Sequence, residues 1–330
     1  MRLTPAGARV LALHIIPLAT VLLLSALVVS EPSHAQAASE VAAATPDSTK
    51  PDPIKSDPTK PDAAAPKSAA AKAVDAVKSV AKSAGNIFSR VPCSTPKDMK
   101  FQASLPHTAH KLAAGEPVTI IAFGSSSTWS YGASSPAFKY PNRLADQLRR
   151  HYPNANITVL NEGVGGEDTP QMMKRLQTSV IDHKPDLVIW QLGTNTVVQG
   201  GDIDGTMGLL TDGIKQLQAA GTDVVLVDPQ YVPATTAGKE ADAMKMVSLI
   251  GRAARAMKVG VFPRFAVMKD WHTEQALPFD VFVIQDGLHM NDWGYACFAQ
   301  LLGDSIIKSV DQVNAGAQGS SNPVVANRPL

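Results

Sequence analysis

Five short apolar runs, separated by longer segments of helical periodicity, constrain this chain more tightly than anything else in it. They occupy residues 118–123, 157–160, 187–190, 224–227 and 259–262, and Val118-Thr119-Ile120-Ile121-Ala122-Phe123 is representative. Each run is β-branched and nearly free of polar residues, the pattern of strands buried on both faces in a parallel sheet. Between them lie residues 143–151, 171–181, 204–220 and 240–257, each long enough for a covering helix, with Gly221 as a stop after Ala220. The alternation predicts an α/β fold over residues 92–313. It is a three-layer, doubly wound, mainly parallel sheet of five strands with helices on both faces. In such sheets ligands bind outside the carboxyl ends of the strands, so the loops that follow strands are where chemistry is to be sought.

The rest of the chain reads differently. At 45% hydrophobic and 18% charged the whole is globular in composition, yet aromatics reach only 5%, thin for a core of this length. The N-terminal quarter explains the deficit. Arg2 and Arg9, an apolar stretch at 10–29 and the small-residue site Ser33-His34-Ala35-Gln36-Ala37 form the parts of a secretory signal peptide over residues 1–37. A retained membrane anchor is the alternative, because the stretch approaches the roughly 20 residues that span a bilayer; Pro17 and the small-residue site favour cleavage. Residues 38–91 turn to Ala, Pro, Lys, Asp and Ser, with Lys-Pro-Asp at 50–52 repeated at 60–62, and read as a solvated linker. Val74, Val77 and Val80 within it have helical spacing, with lysines interleaved. Residues 314–330 are polar and are expected to be a flexible tail. Export places the protein in the periplasm or outside the cell. A net charge of +1 supplies no field for nucleic acid or an anionic membrane, which excludes both as electrostatic partners.

Two cysteines, Cys93 and Cys297, fall at the start of the predicted domain and near its end. In an exported chain an even pair suggests a disulfide; two buried thiols are the alternative, and the sequence leaves both open. No further Cys and no His cluster supplies a structural zinc site, so no metal is expected.

Four loops follow strands on one predicted edge. They are Gly124-Ser125-Ser126-Ser127-Thr128, then 161–168 with the glycines Gly163, Gly165 and Gly166, then Gly193-Thr194-Asn195, and last Asp286-Gly287-Leu288-His289. Singly these are ordinary turn material. Together they hold what acyl transfer needs. A serine hydroxyl requires a neighbouring base to take its proton, and a histidine serves. A carboxylate must hold that imidazole in one tautomer, and Asp286 stands three residues before His289. Backbone N–H groups of the glycine loop and the amide of Asn195 are suitable donors to an oxyanion.

On these four blocks the sequence resembles the SGNH (GDSL-type) hydrolase superfamily across residues 118–307. The resemblance implies a nucleophile at Ser126, a triad completed by Asp286 and His289, and an oxyanion hole built from Ser126 N–H, Gly166 and Asn195. One departure stands out: the aspartate that usually precedes the nucleophile is Ser125 here. Gly124 and Thr128 set the register on Ser126, with Ser125 the main alternative. Asp286, Asn291 and Asp292 also suit a helix cap before Trp293, and the last two are assigned no chemistry.

Competing motifs fail on count. Gly163 to Gly166 suggests a dinucleotide loop, but Asp168 stands where its last glycine should be, so no cofactor site is supported. The Gly-x-Ser-x-Gly of α/β-hydrolases would need glycine at Thr128. Asp202 and Asp204 open a calcium loop that lacks its later ligands. The expectation is an exported serine esterase without cofactor, acting on acyl esters, most simply O-acetyl groups of a glycan or envelope polysaccharide, with Trp129 and Tyr131 available to stack on a sugar ring. The family also includes lysophospholipases and thioesterases. A non-catalytic glycan-binding protein that keeps the fold has Ser125 as its one support. Oligomeric state is not legible.

Overall fold

The computed structural model describes residues 90–97, 99–101 and 103–320, with side chains through residue 316. All of these lie in the second of two compact units, Ala64–Leu330; none lies in the first, Met1–Ala63. The expected signal peptide, the linker up to residue 89, the valine-spaced stretch within it and residues 321–330 fall outside the described residues.

Each apolar run is a strand: β1 (Val118–Gly124), β2 (Ile157–Gly163), β3 (Leu187–Gln191), β4 (Asp223–Val227) and β5 (Gly260–Phe262). All pair in parallel in the order β2-β1-β3-β4-β5. Ile120, Ile121, Val188, Ile189, Val225 and Leu226 are buried, as strands covered on both faces must be. Strand β2, at one edge, is exposed or half-buried beyond Ile157, which fits its polar end at Asn161 and Glu162.

Ten α-helices accompany the strands among the described residues. They are α1 (Pro106–Ala114), α2 (Ser126–Trp129), α3 (Tyr140–His151), α4 (Thr169–Ser179), α5 (Thr194–Gln199), α6 (Thr206–Ala219), α7 (Pro233–Thr236), α8 (Glu240–Met257), α9 (Arg264–Thr273) and α10 (Asp292–Ser320). The four expected covering helices are α3, α4, α6 and α8. Their faces follow from the handedness of crossovers. The chain moves from β1 to β2 through α3, and in the opposite direction through α4, α6 and α8, so α3 covers one face and the other three cover the second. Accordingly α3 packs on α10, which also holds α1, while α6 packs on α4 and α8. The order reverses at β1, and the crevice between the ends of β2, β1 and β3 is where such a sheet receives its ligand.

Two termini differ from the sequence reading. The chain was expected to loosen at Asn314, but α10 runs on to Ser320. Helix propagation adds a hydrogen bond for each residue fixed, so a helix anchored by Phe298, Leu302, Ile306 and Val310 overruns into Asn314-Ala315-Gly316-Ala317. At the other end, residues 90 and 91 are tied to the domain although they were read as linker: Val91 is half-buried and Arg90 is exposed. Arg90 pairs with Asp304 at 2.6 Å, and the amide of Gln300 brackets the Val91 backbone at 3.1 and 3.2 Å. Beside them Cys93 and Cys297 form a disulfide, their Cα atoms 5.6 Å apart and 204 residues apart in sequence. In the chain-entropy account, closing so long a loop in the unfolded state contributes about 5 kcal/mol.

Candidate active site

Strand β1 delivers three consecutive serines to the switch point, and each has a different partner. Ser125, still extended, is buried and directs its hydroxyl and its N–H to Gln191 Oε1, both at 3.0 Å. Ser127, also buried, accepts a hydrogen bond from Arg264 Nη1 at 3.2 Å. Ser126 alone, the first residue of α2, reaches His289: its Oγ lies 2.8 Å from Nε2. Gln191 closes β3 and also accepts from Thr128 Oγ1 at 3.2 Å, so one buried amide fixes the turn from both sides of the middle serine. A side chain at Gly124 would collide with Thr128 Oγ1, which is why glycine precedes the turn.

The last block forms a tight turn between β5 and α10. Gly287 takes a left-handed φ of 67°. Asp286 Oδ1 accepts the N–H groups of Leu288 and His289, both at 2.9 Å, while Oδ2 lies 2.6 Å from His289 Nδ1. With Nδ1–H donating to that carboxylate, the Nε2 lone pair faces the Ser126 hydroxyl. Burial acts to raise the Asp286 carboxyl, but hydrogen bonds from the His289 ring and from the two backbone N–H groups outweigh it and hold it below the usual carboxylate range. The turn is anchored from outside by Gln230, which donates to Leu288 O at 2.7 Å, and by Ala234 N–H, which donates to Gly287 O at 3.0 Å. The helix-cap reading goes to the neighbour: Asn291 Oδ1 accepts Gly294 N–H at 3.0 Å, and Asp292 receives Ser134 N–H and Oγ–H at 2.9 and 2.5 Å.

The two remaining blocks are tied to each other. Asn195, buried near the start of α5, donates from Nδ2 to Glu167 O at 2.8 Å, and Gln199 Nε2 donates to Gly166 O at 3.1 Å. Gly166 itself has a φ of 80° and open space where a Cβ would stand. The loop meets the serine turn at Gly163, whose missing Cβ leaves room for the Trp129 backbone, and Val164 N–H donates to Gly124 O at 3.0 Å. Tyr131 covers the open side, its ring centroid 4.7 Å from that of His289.

The sequence reading missed the layer beneath. Arg264, which opens α9, is buried; Nε donates to Asp228 O at 3.1 Å, Nη1 to Ser127 and Nη2 to Thr194 Oγ1 at 3.4 Å. Asp228, just past β4, accepts Phe265 N–H at 2.9 Å, and its burial pushes the carboxyl up to about 7. Polar residues set directly after apolar runs, as Gln191 and Asp228 are, or one residue beyond, as Arg264 is, were the available signal. Among the described residues no group of three or more His, Cys, Asp or Glu could hold a metal. A cavity of about 820 Å³ between α3 and α10 is lined by His151, Asp304 and Asp311 among others and contains none of Ser126, Gly166, Asn195, Asp286 or His289.

The sequence model of the non-GDSL lipase-like family matches residues 92–312. The chain belongs to that family. The non-GDSL lipase-like description agrees with Ser125 standing where GDSL-type proteins have aspartate, so the kinship is of the SGNH-like kind without being strictly GDSL. An arylesterase of Vibrio mimicus is 25% identical over 180 residues, 54% of this chain and 84% of that protein. An uncharacterized lipoprotein of Bacillus subtilis, YqeF, is 35% identical over 80 residues, 23% and 31% of the two chains. Among solved structures, a two-domain esterase active on acetylated mannans and co-crystallized with mannopentaose superposes with a TM-score of 0.54 at 21% identity. That match covers 65% of this chain and 55% of the other, so the chain spans about half the length of the solved esterase, and the likeness is one of fold. Family and arylesterase relative together support carboxylic ester hydrolase activity.

Proposed function

We propose that this protein is an exported serine esterase that removes O-acetyl or similarly small acyl groups from a glycan through an acyl-enzyme. One observation carries the reading: the continuous hydrogen-bonded line from Ser126 Oγ through the His289 ring to Asp286. Ser126 Oγ attacks the ester carbonyl carbon as His289 Nε2 takes its proton, and Asp286 stabilises the imidazolium through Nδ1–H. The oxyanion is received by the N–H groups of Ser126 and Gly166 and by the Asn195 amide. The carbon–alkoxide bond then breaks and His289 returns the proton to the departing alcohol. Water, deprotonated by His289, next attacks the Ser126 ester; its collapse releases the carboxylic acid and restores the hydroxyl.

The glycan assignment rests on Trp129 and Tyr131. These aromatics are 49% and 56% exposed beside Ser126, whereas most rings among the described residues are buried. Flat apolar faces of that kind suit the C–H face of a pyranose, and the acetylated mannans of the solved neighbour are the same class of substrate. Export rests on the signal-peptide pattern at 1–37, with a relative named as a lipoprotein in support. Among the described residues no helix is long and apolar enough to cross a membrane. The non-catalytic reading loses its support, because Ser125 is bonded to Gln191 and takes nothing from the serine–histidine contact.

Ser126→Ala should abolish hydrolysis of a short-chain acyl ester and labelling by a fluorophosphonate, with the melting temperature unchanged. Undiminished turnover by the folded variant overturns the mechanism. Acid released from acetylated glycans against lysophospholipids separates the substrate classes; preference for the lysophospholipid refutes the glycan assignment.

A further inference from the structure

Arg175 projects from α4 toward the switch point, and its side chain is only 16% exposed. Its Nη2 donates to Gly124 O at 3.1 Å, two residues before Ser126, and to Glu162 O at 3.0 Å at the end of β2. Its Nε and Nη2 grip the Glu167 carboxylate at 2.7 to 3.0 Å, and Glu162 Oε2 lies 3.9 Å from Nη1. The guanidinium also lies over the Phe123 ring, 4.6 Å from its centroid. Glu167 follows Gly166 directly, and its own carbonyl accepts the Asn195 amide. One fork of donors is thereby joined to the turn carrying Ser126 N–H, to the residue beside Gly166 and, through one peptide group, to Asn195.

We infer that the Arg175–Glu167 pair is the positioning device of the oxyanion hole: it sets the spacing of the three donors and touches no substrate. The inference rests on the esterase reading above. Its physical basis is the planar fork of arginine, which satisfies two carbonyls and a carboxylate at fixed angles where lysine offers one point charge. An oxyanion donor acts on the transition state alone, so disturbing its placement lowers kcat and leaves KM in place.

The experiment compares Arg175→Gln, Arg175→Lys, Glu167→Gln and the double variant Arg175→Gln/Glu167→Gln by kcat, KM and melting temperature on p-nitrophenyl acetate. Each single variant should lose roughly 10- to 100-fold in kcat with KM within about twofold, the scale of a misplaced donor. Arg175→Lys should not restore it. Each single variant also leaves one member of the close pair in a nearly buried site without its partner, with Glu162 at 3.9 Å the remaining charge beside Arg175, and should melt lower. The double variant removes the close pair and leaves only Glu162, whose side chain is 29% exposed, so its melting temperature should recover in large part while kcat stays down. Recovery of kcat along with melting temperature, a kcat loss in Arg175→Gln under about threefold, or rescue by lysine would reduce the pair to a structural brace and overturn the inference. Ser126→Ala keeps the two failures apart: if Ser126→Ala is inactive and Arg175→Gln is fully active, the esterase reading stands and the positioning role falls.

Discussion

The two ends of the sheet each carry a histidine against an aspartate, and the pairs have almost the same geometry. At the carboxyl end His289 Nδ1 lies 2.6 Å from Asp286; at the amino end His107 Nε2 lies 2.7 Å from Asp186. Both carboxyls sit below their usual range for a similar reason. Burial acts to raise Asp186, but Thr119 N–H, Lys111 and His107 together outweigh it. Yet Asp186 serves to close the sheet: it takes Thr119 N–H near the start of β1 at 2.7 Å and draws α1 onto it through Lys111 at 3.0 Å, while its neighbour Asp223 accepts Thr108 N–H and Oγ–H. Asp286 takes its donors from one turn and leaves the far ring nitrogen to a serine. A histidine–aspartate contact is therefore no mark of catalysis; what the second nitrogen meets, and at which end of the strands, is.

The strongest way to break this comparison is to make the same substitution at each end. Asp286→Asn should lower kcat by about 10⁴-fold, because the imidazole loses its fixed tautomer. Asp186→Asn should leave kcat within about twofold while lowering stability by about 1–3 kcal/mol, the loss expected for a buried acceptor with several donors. Parallel kcat and urea-denaturation measurements decide it, and equal losses of activity would erase the distinction.

A third carboxyl sharpens it. Asp228 also lies at the carboxyl end, but Arg264 Nε bonds its carbonyl, so burial dominates and the carboxyl titrates near 7. Its folded value exceeds its unfolded one. The unfolded chain releases this proton from about pH 4 while the native state holds it to about 7, so this group removes stability as pH rises through that window. Asp186 and Asp286 have the opposite sign: their stabilisation is full above the ordinary carboxylate range and is lost on acidification. Denaturant melts should find Asp228→Asn gaining on the unsubstituted protein between pH 4.5 and 7.5. A difference independent of pH would contradict this assignment. The smallest effect is expected for His107→Ala: about 1 kcal/mol of stability, with esterase activity unchanged.

How much of this could be read from the sequence follows from where the information is local. Buried parallel strands need unbroken apolar runs, so all five strands were legible, as were the helices whose apolar periodicity faces the sheet. The turn from Asp286 to His289 was legible because acid and base share one loop. Register alone put the nucleophile at Ser126, with Ser125 the main alternative; that Gln191 holds Ser125 and Arg264 bonds Ser127 was not legible, because both partners are distant in sequence. Arg175 looked like one more charge on a helix, because its meaning depends on two carbonyls contributed by other strands. The run of α10 past Asn314 was hidden because a polar tail reads the same whether or not a packed helix precedes it.

The bond between Cys93 and Cys297 also decides how the chain carries tension. Pulled from its two ends, the polypeptide is loaded before Cys93 and after Cys297, and the covalent link carries the force past everything between. All five strands and the four loops lie within that bypassed stretch. Stretching the oxidised protein should therefore extend little more than its ends, whereas the reduced protein should unravel through the sheet and lose the crevice at the ends of β2, β1 and β3 with it.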